Sequence, residues 1–268
     1  MQTVSVIVPT LFLNPTLENY VTSLSHYSTV REVTMAVNTT GADKGENTVH
    51  WRFLGKNKGF TGACNAGARV ATGDYLLFLN DDCEMTEDAL QKMVGFLEEN
   101  EDIVATQPII TKSLEPSAQN LGHTTIENIG FWVDTKIGKA YPVTETLREK
   151  DRSIYGLSGT CLLIRKDVFE KVGMWDESFH SYLEDVDLAI RLQKAGYKVA
   201  PCLDVEVTHE HMATSSKMGL YKEIQDVKNW WRIIFKHSDV FVQPGTIFPL
   251  LLERGRNISG LVKKILHD

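Results

Sequence analysis

Two adjacent carboxylates follow an apolar run in the first half of the chain. The run is Tyr75-Leu-Leu-Phe-Leu79, and Asn80, Asp81 and Asp82 come directly after it. Such a run indicates a buried strand, and the ligands of open α/β sheets bind outside the carboxyl ends of the strands. Hard divalent cations take carboxylate oxygens and keep positions open for phosphates. These residues therefore fit either a metal site or an Asx-rich turn before the next helix.

A second acidic cluster contains Glu184, Asp185 and Asp187. Apolar residues from Leu188 to Ala195 have the spacing of one helical face, so the acids occupy the first turn of a predicted helix. Acids there interact favourably with the helix dipole, and Asp187 can pair with Arg191 four residues on. A carboxylate at this position can also take a proton from an attacking hydroxyl within hydrogen-bond reach. On these residues alone, the structural and the general-base interpretations both stay open.

The elements that must position these acids alternate along the N-terminal part of the chain. Strands are predicted over 4–8, 32–37, 49–54 and 75–79, and helices over 15–27, over 59–71 and from Thr86 onward. This βαβα alternation predicts an α/β fold with a mostly parallel central sheet flanked by helices. Residues 104–160 are richer in Thr, Asn, Gly and Pro and predict short strands and loops, either a substrate-facing insertion or a surface loop.

Composition limits the class of protein. A chain of 268 residues with 43% hydrophobic content can bury a full core. A net charge of -7 disfavours a general affinity for nucleic acid, which requires a basic footprint. Cys64, Cys83, Cys161 and Cys202 form no CxxC pair, which predicts free thiols in a reducing compartment and hence a cytoplasmic protein. The N-terminus shows no signal-peptide pattern, and no apolar run is long enough for a predicted spanning helix.

Four ordered blocks resemble those of the inverting family 2 glycosyltransferases, within the bacterial rhamnosyltransferase-like branch. The blocks are Val4-Ser-Val-Ile-Val-Pro-Thr10, Asn57-Lys-Gly-Phe-Thr-Gly-Ala-Cys-Asn65-Ala-Gly67, Leu79-Asn-Asp-Asp82, and Gly159-Thr-Cys-Leu-Leu-Ile-Arg165 followed by Gly173-Met-Trp-Asp-Glu177 and Glu184-Asp-Val-Asp187. Each block alone is a weak signal, but the order and spacing of all of them are specific. The resemblance implies a GT-A-type nucleotide-sugar-binding domain over 1–215, with a donor half over about 1–105 and an acceptor half over about 106–215. Residues 216–268 would then form a C-terminal helical extension.

The resemblance also implies roles for both acidic clusters. Asp82 would hold a divalent metal ion, Mg²⁺ or Mn²⁺, that stabilises the charge developing on a nucleoside diphosphate leaving group. Asp81 would contact the ribose of the donor or share the metal shell. Asp185 matches the base position of the family. Glu184 is the alternative base, or a partner that orients Asp185 and adjusts its pKa.

Further positions match the family's metal and donor contacts. His209 matches a histidine that contacts the metal or the diphosphate, with His211 as the alternative. The resemblance places donor-binding roles on Pro9, Thr10, Asn57, Gly59 and Asn65, although the small residues of this last block also suit a closely packed helix start.

One position departs from the family pattern, because Val37 stands where many members carry an acidic residue that reads the base or the ribose. Its neighbour Asn38 can still hydrogen-bond a base or sugar edge. The nucleotide therefore stays open between uridine, thymidine and guanosine diphosphates.

The resemblance implies metal-dependent, inverting transfer of a sugar from a nucleoside-diphosphate sugar to a hydroxyl of a growing glycan. That glycan would be a surface polysaccharide or lipopolysaccharide, with a glycan or a lipid-linked glycan as acceptor. A catalytically silent nucleotide-sugar or glycan-binding relative is an alternative, although it would not need a base such as Asp185. A nucleotidyltransferase is a further alternative, but Thr10-Leu-Phe-Leu-Asn-Pro15 is not the Gly-rich, basic triphosphate loop that such an enzyme carries after its first strand.

The pattern of the last fifty residues predicts a helix and an amphipathic basic tail. Apolar residues fall on one helical face that we expect to pack on the domain: Leu220, Ile224, Val227, Trp231 and Ile234, widened by Trp230 and Phe235. Residues 245–268 interleave basic and apolar side chains, as at an anionic membrane surface. This pattern fits peripheral contact with the inner face of a membrane, and it equally fits a docked tail or a homo-oligomer contact.

Overall fold

A computed structural model describes residues 2–46, 48–113, 124–144, 153–210 and 219–267. Its strands are β1 (Val4–Thr10), β2 (Val30–Val37), β3 (Lys44–Glu46), β4 (Val49–Phe53), β5 (Tyr75–Leu79), β6 (Cys83–Glu84), β7 (Ile103–Thr106), β8 (Pro108–Ser113), β9 (Thr124–Asn128), β10 (Phe131–Asp134), β11 (Lys139–Pro142), β12 (Ser153–Gly156), β13 (Cys161–Arg165), β14 (Lys198–Val199) and β15 (Cys202–His209). Its α-helices are α1 (Pro15–Leu24), α2 (Gly59–Ala68), α3 (Glu87–Glu99), α4 (Lys166–Lys171), α5 (Glu184–Lys194), α6 (Gly219–Lys236), α7 (Ser238–Phe241) and α8 (Ile247–His267), and a short 3₁₀ helix spans Glu177–Phe179.

The central sheet of the described chain has the strand order β14-β7-β13-β5-β1-β2-β4-β3. Neighbouring strands are parallel except where β13 lies between β5 and β7 and where β3 joins β4. Because β13 is antiparallel, its first residue, Cys161, pairs with Leu79, the last residue of β5. The ends of β1, β2 and β5 and the start of β13 therefore meet at one edge of the sheet.

Side-chain alternation along the strands divides the core into two layers. Val6 and Leu77 belong to the buried cluster that α1 and α3 cover, whereas Ile7 and Phe78 belong to the cluster that α2, α4 and α5 cover. Successive side chains of a strand point to opposite faces, so strands buried on both faces are continuous apolar runs. The predicted α/β fold with a mostly parallel sheet flanked by helices is confirmed.

The element boundaries agree closely with those expected from the sequence. Strand β5 has the predicted bounds, and Thr86 caps α3 by accepting a hydrogen bond from the backbone N–H of Ala89 at 3.2 Å. Helices α1 and α2 end at Leu24 and Ala68, about one turn earlier than the apolar pattern suggested. The region of predicted short strands contains β7 to β12, and two smaller sheets, β6-β15-β8-β9 and β11-β10-β12, are built largely from it.

Helix α6 packs on the domain as predicted, but only part of the predicted face is buried. Trp230, Ile233 and Ile234 are buried in a third cluster with α5, α8 and β10, whereas Leu220 and Phe235 are exposed. The prediction used hydrophobicity alone, but the inward face of α6 also carries the buried polar residues Gln225 and Asn229, and Asn229 hydrogen-bonds the body of the protein. Among the described residues, no helix has both the length and the apolar character needed to cross a bilayer.

Candidate active site

The turn after β5 holds the first acidic pair in place. The backbone N–H of Asn80 donates to the carbonyl oxygen of Thr160 at 3.0 Å, which ties the end of β5 to the loop before β13. The hydroxyl of Thr10, at the end of β1, donates to Asp81 Oδ2 at 2.6 Å. Burial raises the pKa of Asp81, and the Thr10 hydrogen bond opposes that shift. The predicted turn is present, and its acids lie at the edge of the sheet where donor ligands were expected.

His209 lies directly against Asp82. Strand β15 pairs antiparallel with β6 so that His209 is opposite Cys83, and His209 Nε2 is 3.0 Å from Asp82 Oδ1. The other ring nitrogen, Nδ1, is 3.1 Å from Glu127 Oε2 on β9. Burial alone would lower the pKa of His209, but its hydrogen bonds with the two carboxylates outweigh burial and raise the pKa to about 9.

The residues around Asp82 fit a divalent metal ion. One ligand atom each of Asp82, Cys83 and His209 lies within 4.8 Å of the others. A carboxylate and an imidazole suit Mg²⁺ or Mn²⁺ better than a thiol does. Burial raises the pKa of the Cys83 thiol far above its usual range, and only the thiolate is a good ligand. Asp82 and His209 are therefore the fitting ligands, and Glu127 is placed to fix the orientation of the imidazole.

Glu127 is the residue of this group that the sequence did not reveal. It lies in the short strand Thr124–Asn128, and only the pairing of β8 with both β9 and β15 brings it beside His209. No local motif marks it, and the one hint was the expectation that the region around it could face a substrate. His211, the alternative to His209, lies outside the described residues.

The second acidic pair begins α5. Asp185 accepts hydrogen bonds from the backbone N–H groups of Val186, at 2.8 Å, and Gly159. Burial raises the pKa of Asp185 to about 6, and these hydrogen bonds act against that rise. Burial and then the neighbouring Asp185 charge raise the pKa of Glu184 to about 8, and no described residue hydrogen-bonds its buried Oε2 atom. Burial thus favours the protonated form of both carboxyl groups, and more strongly at Glu184 than at Asp185.

The third acid of this cluster, Asp187, has a structural role. It is fully buried and lies 2.8 Å from each of three basic side chains, namely Arg191 on α5, Lys236 on α6 and His237 just after α6. Burial acts to raise the pKa of Asp187, but the hydrogen bond with His237 and the nearby positive charges outweigh it and lower the pKa to about 2. The predicted pair of Asp187 with Arg191 is present.

The loop before α5 is strained. His180, Tyr182 and Leu183 have φ values of 64°, 69° and 65°, and none of them is glycine. Each left-handed residue of this kind costs about 1 to 2 kcal/mol, and such strain persists where the surroundings hold it in place. The strained loop leads directly into Glu184 and Asp185.

A single amide on α6 holds this loop. Asn229 is fully buried, and its Nδ2 atom lies 3.1, 2.9 and 2.8 Å from three carbonyl oxygens of the loop, those of Phe179, Ser181 and Tyr182. The hydroxyl of Tyr221, also on α6, lies 2.8 Å from His180 Nδ1. Sequence reasoning missed Asn229, because a polar residue in an amphipathic helix is normally assigned to the solvent side.

The predicted donor-binding residues cluster around the start of α2, and their amides are engaged with the backbone. Asn38 accepts from the N–H of Lys58 at 2.9 Å and donates to the carbonyl oxygen of Gly59 at 3.2 Å. Asn57 accepts from the N–H of Gly59 at 2.8 Å, and Asn65 donates to the carbonyl oxygen of Trp175 at 2.8 Å. These amides shape loops at the sheet edge, and their contacts with a donor stay predictions.

Position 59 requires glycine. Its φ of 72° is left-handed, and a Cβ atom there would lie 2.2 Å from the carbonyl oxygen of His180. The start of α2 and the strained loop are therefore in direct backbone contact. Pro9 and Thr10 are both buried at the end of β1, next to the turn that carries Asp81. Nothing in the geometry tests the predicted contact of Pro9 with a nucleobase.

One short loop connects the two acidic sites. Gly159 donates to Asp185, and the next residue, Thr160, accepts from Asn80 beside Asp81 and Asp82. A carboxylate with a histidine and a buried carboxyl pair thus lie at the same edge of the sheet. That arrangement can hold a metal on one side of a bound substrate and accept a proton on the other.

Comparisons with known proteins show the family to which this chain is similar. The sequence model of glycosyl transferase family 2 matches residues 5–173. An N-acetylglucosaminyl-diphospho-decaprenol L-rhamnosyltransferase of Mycobacterium tuberculosis is 34% identical over 113 residues, which cover 38% of this chain and 36% of that protein. The rhamnosyltransferase WbbL of Escherichia coli is 27% identical over 137 residues, which cover 49% of this chain and 50% of that protein. The matches thus span half or less of each relative.

A solved structure shares the fold. The crystal structure of GalNAc-T7 with UDP, GalNAc and Mn²⁺ matches with a TM-score of 0.59 at 18% identity, over 78% of this chain and 44% of that one. The fold is therefore the GT-A type that was expected. The family match covers well over half of the chain and includes the β5 edge with Asp81 and Asp82, and we conclude that the chain belongs to glycosyl transferase family 2.

Proposed function

We propose that this glycosyltransferase is inverting and metal-dependent, and that it moves a sugar from a nucleoside-diphosphate sugar to a hydroxyl of a growing glycan. The observation that carries the proposal is the pair of acidic sites joined through the loop 158–160, with Asp82 and His209 on one side and Asp185 on the other. One relative is named for an N-acetylglucosaminyl-diphospho-decaprenol, which supports a lipid-linked glycan as the acceptor. The product that we propose is a surface polysaccharide or lipopolysaccharide.

The first site would stabilise the leaving group. Asp82 and His209 would hold a divalent metal ion, Mg²⁺ or Mn²⁺, which supplies a Lewis acid for the charge on the diphosphate. Glu127 keeps His209 Nε2 directed at Asp82 by its contact with Nδ1. Thr10 orients Asp81 by its hydrogen bond and so presents a carboxylate to the donor.

The second site would activate the acceptor. Asp185 would accept the proton of the acceptor hydroxyl as that oxygen attacks the anomeric carbon from the face opposite the diphosphate. Attack from that face inverts the configuration. The raised pKa of Asp185 makes it a stronger base than an ordinary carboxylate while it stays ionised at neutral pH. Glu184 keeps its proton at that pH because its pKa is higher, which favours Asp185 as the base.

We assign donor recognition to residues 1–105 and acceptor recognition to residues 106–215, with residues 216–268 as a helical extension. Asn38 hydrogen-bonds the backbone of Lys58 and Gly59, and these contacts identify no particular base. The nucleotide therefore stays open between uridine, thymidine and guanosine diphosphates. The acceptor would be a glycan or a lipid-linked glycan. All four cysteines are buried free thiols, which supports the cytoplasmic location proposed here, at the inner face of a membrane. A homo-oligomer is compatible with the same proposal.

Calorimetric titration tests the donor site. We expect one of the three nucleoside diphosphates to bind wild-type protein only with Mn²⁺, and Asp82→Ala to abolish that binding. Asp88→Asn, on the exposed first turn of α3, is the matched control and should bind normally. Binding that is independent of both metal and Asp82 would contradict the assigned site.

Turnover of Asp185→Asn tests the base. The substitution removes the proton acceptor and almost no volume, so transfer should fall by about 10²-fold or more while donor binding persists. If Asp185→Asn keeps near-normal turnover, the base assignment is wrong. If no donor binds to wild-type protein, the chain is better described as a silent relative.

A further inference from the structure

Helices α6 and α8 form an antiparallel hairpin with a polar seam. Three contacts pair the two helices in antiparallel order: Lys264 with Glu223 at 3.3 Å, Asn257 with Asp226 at 3.1 Å, and the Arg254 guanidinium over the Trp230 ring at 4.8 Å. Arg254 is almost fully buried and also donates to the carbonyl oxygen of Gly138. The hairpin is therefore docked on the body through one side, and its outer side is left to the surroundings.

The outer side is apolar. Eleven of the seventeen exposed large apolar side chains in the described residues belong to this hairpin: Leu220, Ile224, Phe235, Ile247, Phe248, Leu251, Leu252, Ile258, Val262, Ile265 and Leu266. Phe248 is 76% exposed and Phe235 is 74% exposed. A contiguous exposed apolar surface of this size marks an interaction site.

Helix geometry places both stripes on the same side of the hairpin. At 3.6 residues per turn, the exposed stripe of each helix lies about a third of a turn beyond its contact seam, in the same rotational sense. Because the helices are antiparallel, equal rotations carry both stripes to one side, away from the body. The stripes therefore form one flat, two-helix surface, which we call the hairpin face.

Basic side chains border the hairpin face. On the helical wheel, Lys228 follows the stripe of α6, and Arg256 and Lys263 follow the stripe of α8, and all three are exposed. Residues 219–268 carry eight Lys or Arg against five Asp or Glu, whereas the whole chain carries 28 against 35. An apolar face with a cationic border complements an anionic lipid surface, where acyl chains take the apolar side chains and headgroups take the charges.

We infer that the hairpin face is a docking surface for an anionic lipid bilayer, with α6 and α8 lying flat in the interfacial region. A two-fold dimer through this face would bring one basic border against another, which disfavours a second copy of the chain as the occupant. The inference deepens the proposed function, because a lipid-linked acceptor lies at such a surface. The binding itself requires no transferase activity.

Vesicle cosedimentation of the full chain tests the inference. Wild-type protein should sediment with phosphatidylglycerol-containing vesicles, more weakly with pure phosphatidylcholine vesicles, and less as salt is raised. The double variant Phe248→Ser, Leu252→Ser should lower the partition coefficient by about tenfold or more. The double variant Arg256→Gln, Lys263→Gln should weaken binding to the anionic vesicles alone. Leu203→Ser, an exposed apolar site on β15, is the matched control and should bind as wild type.

Sedimentation velocity without lipid distinguishes a bilayer from a second copy of the chain as the partner of the hairpin face. If the face were a contact between copies, wild-type protein would dimerise and the Phe248→Ser, Leu252→Ser variant would be monomeric, which would overturn the inference. Vesicle binding equal in wild type and this variant, or absent in wild type, would also overturn it. Turnover with a short soluble acceptor should be unchanged in this variant. If wild-type protein binds vesicles but shows no donor binding or no turnover, the proposed function is contradicted and the inference about the hairpin face stands.

Discussion

Removing the amide of Asn229 should impair catalysis from outside the acidic cluster. Asn229→Leu keeps a side chain of similar size but deletes the donor that faces the carbonyl oxygens of Phe179, Ser181 and Tyr182. Those carbonyls belong to the loop that leads into the two carboxyl groups at the start of α5. The variant therefore tests whether the position of Asp185 depends on α6.

The expected magnitude follows from the contacts. The Asn229 amide has two N–H donors, which the three carbonyl oxygens share, and two hydrogen bonds at about 1 kcal/mol each contribute about 2 kcal/mol. The three left-handed residues, His180, Tyr182 and Leu183, store about 3 to 6 kcal/mol of backbone strain at about 1 to 2 kcal/mol each. The strain is at least as large as this anchorage, so loss of the amide should let the loop relax. A displacement of about 1 Å at a reacting group lowers turnover by about 10²-fold.

The assay is a comparison of kcat with donor affinity, each measured across pH. We expect kcat to fall and the donor dissociation constant to stay near that of wild type. Burial is the cause of the raised pKa of Asp185, so a relaxed, wetter loop should return that pKa toward its ordinary value of 3.8. The acidic limb of the kcat profile, expected near pH 6 in wild type, should therefore move to lower pH.

Asn257→Leu is the matched control, because it deletes an amide of the α6–α8 seam that does not touch the loop. Both variants should be compared at equal folded fraction, set from urea unfolding. If kcat in Asn229→Leu equals that of wild type, or if kcat falls without a shift of the acidic limb of its pH profile, a positioning role for this amide is refuted.

Two further predictions concern Glu184 and Gly59. Folded Glu184 keeps its proton up to about pH 8 whereas the unfolded chain loses it near 4.5, so stability is lost as pH rises between those values. Glu184→Gln should then match wild type at about pH 4 and be more stable by the order of 3 to 5 kcal/mol at about pH 9 in urea unfolding; equal stability at both would contradict the raised pKa. Gly59→Ala adds a Cβ atom 2.2 Å from the carbonyl oxygen of His180 and should lower both stability and turnover. Gly55→Ala is the control, because Gly55 has a similar φ of 73° and nothing within 4 Å of its Cβ position. That variant should lose only about 1 to 2 kcal/mol of stability and keep its turnover. Similar behaviour of the two alanine variants would show that the contact with His180 is unimportant.

Local sequence was enough for the sheet and for the acidic pairs. Continuous apolar runs such as Tyr75–Leu79 predict strands buried on both faces, and the residues that end them share one sheet edge for topological reasons. Asp82 and His209 lie far apart in the chain; the family resemblance assigns both to the metal, and the pairing of β6 with β15 brings them together.

The remaining parts depend on contacts that no local pattern encodes. Glu127 reaches His209 through the pairing of β8 with its two neighbours, and its strand is unremarkable in sequence. Asn229 is buried because a strained loop needs its amide, whereas hydrophobicity alone assigns it to solvent. The same preference for apolar residues placed Leu220 and Ile224 in the core, although both are exposed.

Helix α6 has an inner face that holds the loop before Asp185 and an outer face that is open to a ligand. If the loop geometry depends on the docked position of α6, a ligand that binds this position more tightly than an undocked one also favours the loop geometry, and this coupling is reciprocal. A ligand on the outer face would thus raise the fraction of molecules with an ordered base. A substrate that orders this loop would, in turn, raise the affinity of the protein for that outer ligand. If the hairpin face binds a bilayer and Asp185 is the base, attachment to the membrane and ordering of the base would be coupled in this way.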